Sequence, residues 1–305
     1  MAMDIPRTLL ALLSHPDDES FGPGGTLARY AAEGVQVHVV IATDGDAGSV
    51  AAGQGPGPGR SLAQHRQEEL ARAAVILGLA SVWNLPYRDS GMPGQPDNHH
   101  PRALIRQPWS RLVAEMVDFI RRLRPQVVIT HDPYGGYGHP DHIRVCQVAT
   151  AAFHLAGDPR YCPDPTDREP LPPHTPHRLY YFTLDKGMLR TVVWFLRLRG
   201  QDPRALGRNR DIDLVTISRW HTPIHARIPV EAYLARKEAA SRAHASQYSG
   251  GPGFLGALPS VLQRHFRRHE CFVQAFPTPP ARPVDDLFAG LDPGQALPGR
   301  APSPG

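Results

Sequence analysis

Two stretches of the sequence bring histidine and carboxylate side chains together in a pattern that packing does not explain. The first, residues 14–19, reads Ser-His-Pro-Asp-Asp-Glu and follows an apolar run at residues 8–13. That run predicts a short buried strand. Carboxylates this close repel one another unless something positive lies among them, and a divalent metal ion is the usual partner. The alternative is that the acids cap the first turn of a helix.

The second stretch, residues 131–142, has the same arrangement and follows a predicted buried strand at 126–130. It begins with a His-Asp pair and ends with His139 and His142. Because residues three apart share a helix face, these two histidines can point into one pocket at the start of the following helix. A His/Asp pair at the strand end and a histidine at the helix start together supply three ligands, which suits a zinc site with its fourth position open for water.

Both stretches are predicted to lie at one edge of a parallel sheet. A helix at 27–33 separates the first strand from an apolar, β-branched run at 35–41, and this order favours a right-handed βαβ unit. Further strands are predicted at 82–85 and 178–183. Ligands of open parallel sheets bind outside the carboxyl ends of the strands, so we expect the two His/Asp stretches to meet there.

One α/β domain is expected over residues 1–276. The polar segment around 90–108 and the segment 157–230, which opens with a Pro-rich loop, are predicted to form lid insertions or a small subdomain. Residues 277–305 are rich in Pro and Gly and contain few apolar side chains, which predicts a tail.

The predicted lid region contains an amphipathic helix at 188–198 with basic flanks. Such a helix can lie on a membrane surface, form an apolar lid, or pack on the domain core with its arginines exposed, and its periodicity favours the last. Residues 214–218 are predicted to be a strand. A helix at 230–246 is expected to bring His244 towards the site.

Composition excludes several classes of function. The formal charge of +4 comes from scattered basic residues with no aromatic stripe among them, so we expect no nucleic-acid partner. The cysteines are odd in number, far apart and without a CxxC pair, which is typical of the reducing cytosol: Cys146, Cys162 and Cys271. The first apolar run is too short for a signal peptide or a membrane span, so a cytoplasmic protein without membrane association is expected.

The two motifs also carry a family resemblance. Residues 15–19 (His-Pro-Asp-Asp-Glu) and 136–142 (Gly-Tyr-Gly-His-Pro-Asp-His) resemble the paired motifs of the LmbE/PIG-L family of zinc-dependent N-acetylglucosamine deacetylases. Segments at 66–69, 88–92 and 237–247 are similar to the branch that includes the mycothiol and bacillithiol pathway deacetylases and the mycothiol conjugate amidase. The resemblance implies a Rossmann-like, mostly parallel sheet with helices on both faces, and a role in low-molecular-weight thiol biosynthesis.

The resemblance implies a role for individual residues of the motifs. His15, Asp18 and His142 would bind Zn²⁺, with Fe²⁺ or another divalent ion as the alternative. Asp17 would be the general base that takes a proton from the metal-activated water. His139 would stabilise the tetrahedral intermediate as a cation or protonate the leaving amine.

Four further residues receive roles from the same resemblance. Tyr137 would help to hold the oxyanion, and Asp141 would orient an imidazole from behind. Arg66 and Asp89 would bind sugar hydroxyls. The spacing of Arg66 and Glu69, one helical turn apart, by itself predicts a surface ion pair.

The expected function is metal-dependent hydrolysis of the N-acetyl amide of a small-molecule amino sugar, an N-acetylglucosaminyl compound. One alternative is an amidase that cleaves a larger acyl group or a cysteine conjugate from glucosamine. Another is a sugar-binding protein of the same fold that has lost turnover, and the intact Asp17 argues against it. The resemblance is also compatible with a homo-oligomer.

Overall fold

The computed structural model describes residues 6–161, 171–207, 210–248 and 253–291. Within them, seven strands form one sheet in the order β3-β2-β1-β4-β5-β7-β6. The strands are β1 (Thr8–Leu13), β2 (Gln36–Thr43), β3 (Ser81–Tyr87), β4 (Val127–His131), β5 (Arg178–Thr183), β6 (Ala226–Pro229) and β7 (His269–Phe276).

Strands β1 to β5 run parallel to one another, and β7 runs antiparallel to both of its neighbours. The chain passes from β1 outwards to β2 and β3, and then crosses back to β4 on the other side of β1. The carboxyl ends of β1 and β4 therefore flank the point where the strand order reverses. Ligands of open α/β sheets bind at such a point.

Helices cover both faces of the sheet, as predicted. The α-helices in the described residues are α1 (Asp18–Phe21), α2 (Gly24–Ala32), α3 (Leu62–Leu77), α4 (Trp109–Leu123), α5 (Gly135–Gly138), α6 (Pro140–Leu155), α7 (Lys186–Leu198), α8 (Leu214–Ile217), α9 (Leu234–Ala243) and α10 (Ser260–Arg267). Leu9 and Leu13 of β1 pack with α2 and α3, whereas Leu10 and Leu12 pack with α4 and α6. Because β1 is buried on both faces, it is a continuous apolar run rather than an alternating one.

The lid region differs from the prediction in two respects. Strand β5 pairs with β4 and β7 in the main sheet, so residues 157–230 are not a single insertion. Residues 214–217 form helix α8 and not a strand, because the side chain of Asp213 accepts hydrogen bonds from the backbone N–H groups of Val215 and Thr216 and caps a helical turn.

Helix α7 packs through its apolar face on α8 and on residues 253–258, in a cluster of their own beside the sheet. Its flanking residues Arg190, Arg197 and Arg199 are exposed, as the packing alternative requires, although Trp194 is also 57% exposed. None of the helices in the described residues has both the length and the apolarity to cross a membrane.

The predicted tail begins later than the sequence indicates. Leu287 and Phe288 are buried in the core on the α2 face of the sheet, so the packed domain continues at least to Leu291. Residues 292–305 lie outside the described part of the chain. Cys146 and Cys271 are buried free thiols, and Cys162 lies outside the described residues.

Candidate metal centre

The loop after β1 folds back on itself so that its carboxylates face inward. The side chain of Asp18 accepts hydrogen bonds from the backbone N–H groups of His15 at 2.7 Å and Ser14 at 3.2 Å. Burial disfavours the charged form of Asp18, but the adjacent imidazoles of His142 and His131 outweigh that effect and hold its pKa well below the usual range. Asp18 is therefore an ionised oxygen donor at neutral pH.

His15 is held by two carboxylates behind it. Its Nε2 lies 3.2 Å from Asp141 Oδ2 and 3.4 Å from Asp89 Oδ1. Asp141 is completely buried and is fixed by the hydroxyl and the backbone N–H of Ser90. Burial lowers the pKa of His15, but the carboxylates of Asp89 and Asp141 raise it by more than burial lowers it. The pKa of His15 is therefore well above its ordinary value. Asp141 and Asp89 hold the proton on Nε2, so Nδ1 is the nitrogen that would give up its proton to bind a metal ion.

The second motif delivers its histidines at the start of α6. Gly135, Gly136 and Gly138 all have positive φ and form a tight turn before the helix. His139 is the N-cap residue, and its Nδ1 accepts a hydrogen bond from the backbone N–H of Asp141. One turn of helix then places the buried His142 beside the loop of β1, which the i, i+3 spacing predicted.

Three donor groups from the two motifs converge. His15 Nδ1 lies 3.1 Å from His142 Nε2 and 3.6 Å from Asp18 Oδ2, and His142 Nε2 lies 3.4 Å from Asp18 Oδ1. Ligands about 2.0–2.1 Å from a tetrahedral ion are separated by about 3.3 Å, and these three separations lie close to that value. Asp18 supplies a different oxygen to each of its two contacts.

Other donor sets overlap with this one. Asp18, His131 and His142 form one such group, and His15, His139 and His142 form another. His131 Nε2, however, lies 3.1 Å from the backbone N of Ser14 and accepts its N–H, and its ring stacks on His142 at a centroid distance of 3.9 Å. We interpret His131 as a support for His142.

Asp17 lies beside the donors in a strained conformation. Its φ of 127° is one that residues other than glycine rarely adopt. The backbone N–H of Asp17 is bound by Glu19, which in turn pairs with the buried His244 at 2.6 Å. Arg66 donates to the Asp17 carboxylate at 2.9 Å and to the backbone oxygen of Pro16.

The environment of Asp17 also tunes its acidity. Burial raises the pKa of Asp17 to about 7, against the opposing charge of Arg66. Burial by itself would raise the pKa of Glu19 and lower that of His244. The contact between the two side chains outweighs burial, so the pKa of Glu19 is lowered and that of His244 is raised. The His244 that the sequence places near the site therefore acts through Glu19 on the backbone of Asp17.

His139 differs from the cation that the resemblance implies. Burial and the neighbouring His15 lower the pKa of His139 to about 4. Its Nδ1 is already occupied by the helix cap, so the ring proton lies on Nε2, which faces Asp89 Oδ1 at 3.8 Å. The structure favours a neutral N–H donor at this position.

The two residues expected to bind sugar hydroxyls are turned inward. Arg66 is 2% exposed and bonds to Asp17, Pro16 and Gly45, and Asp89 is 5% exposed between the rings of His15 and His139. Glu69 is buried too and binds the backbone and hydroxyl of Ser246, so the predicted surface pair with Arg66 is wrong.

Known proteins are similar to this chain over most of its length. The PIG-L family model, described as GlcNAc-PI de-N-acetylase, matches residues 10–153. A relative from Streptomyces griseus subsp. griseus, named 1D-myo-inositol 2-acetamido-2-deoxy-alpha-D-glucopyranoside deacetylase, is 38% identical over 99% of this chain and 94% of its own.

Two solved structures share the fold. The conserved protein TT1542 from Thermus thermophilus is 26% identical and superposes with a TM-score of 0.56, covering 88% of this chain and 94% of its own. The N,N'-diacetylchitobiose deacetylase from Pyrococcus horikoshii is 20% identical with a TM-score of 0.59, covering 88% and 83%. With its two His/Asp motifs meeting at the carboxyl edge of such a sheet, the chain belongs to the PIG-L family.

Proposed function

We propose that the protein is a metal-dependent deacetylase that hydrolyses the N-acetyl amide of an N-acetylglucosaminyl compound and releases acetate and the free amine. The observation that carries the proposal is the convergence of His15 Nδ1, His142 Nε2 and the Asp18 carboxylate, with Asp17 alongside. The name of the Streptomyces griseus relative supports an N-acetylglucosaminyl inositol as the substrate.

His15, Asp18 and His142 are the residues that would hold the ion. Two imidazoles and one carboxylate suit Zn²⁺, and they also suit Fe²⁺. A divalent ion at this position polarises an amide carbonyl and lowers the pKa of a water molecule. Asp141 and Asp89 keep the proton of His15 on Nε2, so that Nδ1 stays available to the ion.

Asp17 moves the proton. In its ionised form it takes a proton from the attacking water, and in its protonated form it passes that proton to the leaving amine. A carboxyl group whose pKa is about 7 is suited to both steps at neutral pH. The contacts from Arg66 and from Glu19 fix its direction before the substrate arrives.

Neutral donors stabilise the charge that develops on the carbonyl oxygen. Burial, with nearby Asp18 adding to it, raises the pKa of Tyr137 well above its ordinary value, so its hydroxyl keeps its proton. The ring of Tyr137 packs edge-on to His142 and His139, with centroid distances of 5.2 and 5.9 Å. Tyr137 and the Nε2–H of His139 are thus placed to donate hydrogen bonds to an oxyanion.

The test combines metal analysis with an assay for amine release. Purified protein should contain about one divalent ion per chain, and it should release primary amine from an N-acetylglucosaminyl inositol. His142→Ala should lose the ion and the activity together. His154→Ala, at the exposed far end of the same helix, is the matched control and should keep both. Tight metal binding by His142→Ala would refute the ligand assignment.

A further inference from the structure

Asp132 is a buried carboxylate that the proposed mechanism does not use. It directly follows β4 and is fully buried. In the described residues it belongs to none of the donor sets that could hold a metal ion. A charge buried this completely is costly unless it is hydrogen-bonded and balanced by an opposite charge. The partners of Asp132 therefore indicate what the carboxylate does.

One oxygen of Asp132 holds the glycine turn before α6. Its Oδ1 accepts hydrogen bonds from the backbone N–H groups of Tyr134 at 3.1 Å and Gly136 at 2.9 Å. The backbone oxygen of Asp132 accepts from the N–H of Gly135 at 2.9 Å. Gly136 has a φ of 68° and immediately precedes Tyr137. Three contacts from one residue thus fix the backbone that carries Tyr137.

The other oxygen of Asp132 is anchored outside this turn. Its Oδ2 accepts from the hydroxyl of Thr183, the buried last residue of β5, at 2.9 Å. Lys186, the first residue of α7, is 6% exposed, and its Nζ has no hydrogen-bond partner among the described residues. Burial lowers the pKa of Lys186, and the charge of Asp132 opposes this effect. A hydrogen bond from β5 and a buried positive charge on α7 therefore hold the carboxylate in place.

We propose that Asp132 is a positioning residue that fixes Tyr137 through the turn between β4 and α6. The inference rests on the proposed function, in which the hydroxyl of Tyr137 donates to the developing oxyanion. Ring contacts with His139 and His142 orient the side chain of Tyr137, and the bonds of Asp132 set the backbone from which it extends. A donor stabilises a transition state only from the right distance, and a displacement of about 1 Å can cost about 10²-fold in rate.

Two substitutions of Asp132 test the role of its hydrogen bonds. Asp132→Ala removes all of the side-chain bonds and should lower kcat by about 10²-fold with KM close to that of the wild type, because an oxyanion forms only in the transition state. Asp132→Asn keeps an acceptor for the turn and an amide that can donate to Thr183, so it should restore most of kcat. Both variants should keep the metal. Loss of the ion in Asp132→Ala, or equal falls in kcat for the two variants, would overturn the inference.

A double-mutant cycle shows whether Asp132 acts through Tyr137. Tyr137→Phe removes the donor itself, so Asp132→Ala should have little further effect on kcat in that background, where no hydroxyl is left to position. Losses of kcat that multiply in the double variant would show that Asp132 acts elsewhere, which overturns the inference.

Fluorine NMR keeps this test separate from that of the proposed function. Fluorotyrosine placed at position 137 reports the surroundings of that ring with no turnover required. Its signal should shift or broaden in Asp132→Ala and stay in place in Asp132→Asn. An unchanged signal in Asp132→Ala would refute the inference while leaving the deacetylase proposal intact. If the wild type releases no amine but the signal behaves as expected, the deacetylase proposal fails and Asp132 still positions Tyr137.

Thr183→Val replaces Asp132→Ala if that variant does not fold. It removes only the hydrogen bond to Oδ2 and should shift the same fluorine signal to a smaller extent. Thr130→Val is the matched control, because Thr130 is a buried threonine of β4 whose hydroxyl has no hydrogen-bond partner in the described residues. Its signal and its kcat should match those of the wild type. An unchanged signal in folded Thr183→Val would overturn the inference.

Discussion

The proposed chemistry depends on one residue with a strained backbone, Asp17. A non-glycine residue at the φ of Asp17 costs about 1–3 kcal/mol, which the surrounding structure must offset. Glu19 binds the backbone N–H of Asp17 and Arg66 binds its carboxylate, so both ends of the residue are fixed. In the proposed mechanism, this fixed conformation aims the Asp17 carboxylate at the attacking water.

Replacement of Asp17 should separate metal binding from catalysis. Asp17→Asn preserves shape but cannot accept the proton, so kcat should fall by about 10²-fold or more. The bound metal should be retained, because Asp17 is absent from the three converging donors. Asp46→Asn, on the loop after β2, is the acidic control and should keep the wild-type kcat. A fall in metal content in Asp17→Asn would contradict the division of roles between Asp17 and Asp18.

Arg66 should set the pH dependence of the reaction. Its charge lowers the pKa of Asp17, so Arg66→Gln should raise that pKa further above about 7. Because the base acts only when ionised, activity in the variant should appear at higher pH, and the acidic limb of the kcat/KM profile should move upward. The profile is measured with the metal-loaded protein at fixed ionic strength.

Arg72→Gln is the matched control for this shift, since Arg72 is exposed on the same helix. Its profile should coincide with that of the wild type. If the acidic limb of Arg66→Gln stays in place while kcat falls, Arg66 acts on the position of Asp17 and not on its acidity.

At the scale of elements, the turn before α6 decides whether the second motif reaches the first. Gly135 has a φ of 69°, and a Cβ there would lie 2.8 Å from Ile143 Cγ1. Gly135→Ala should therefore displace the start of α6, and with it His142. We expect a loss of stability of about 1–2 kcal/mol from the left-handed backbone alone, and a metal affinity weakened by about 10- to 100-fold.

Gly34→Ala is the control for backbone strain without a clash. Its φ is 80°, and nothing lies within 4 Å of an added Cβ. The variant should lose similar stability in chemical denaturation but bind the metal as tightly as the wild type. Equal metal affinities for the two variants would show that the turn does not position His142.

The sequence predicts a strand or helix well where the periodicity and the length of an apolar run indicate the same element. Strands β1 and β5 have the predicted bounds, because each is a mainly apolar run between polar or breaking residues. The strand prediction at 214–218 is wrong because so short a run has no distinctive period, and the cap from Asp213 decides its helical conformation.

Residues of the site were predictable where they lie in the motifs themselves. His15, Asp18 and His142 converge because strand ends and a helix start carry them. The support of Asp17 was less accessible, since Glu19 and His244 are 225 positions apart and their pairing depends on how α9 packs against α1. The inward direction of Arg66 likewise follows from tertiary packing, which local spacing does not reveal.

At the scale of the whole molecule, the end of the described chain closes the core. The segment after β7 returns across the face that carries α2, where the hydroxyl of Tyr30 donates to Asp286 at 2.8 Å and accepts from the backbone N–H of Leu287 at 2.6 Å. The ring of Phe288 packs edge-on to Tyr30 at a centroid distance of 5.3 Å. The composition of residues 277–305, rich in Pro and Gly, predicts a tail and does not reveal this packing. Two buried side chains, Leu287 and Phe288, are enough to fix a short segment against the core.

Phe288→Ala should therefore destabilise the whole domain although it lies far from the motifs in sequence. Removal of a buried phenylalanine costs about 3–5 kcal/mol, and Phe288 is only 3% exposed. Val75→Ala, at an 81% exposed position, should change stability by no more than about 0.5 kcal/mol. Urea denaturation measures both. If Phe288→Ala unfolds at the wild-type midpoint, residues 277–291 are a detachable tail, as the composition predicted, and the core closes without them.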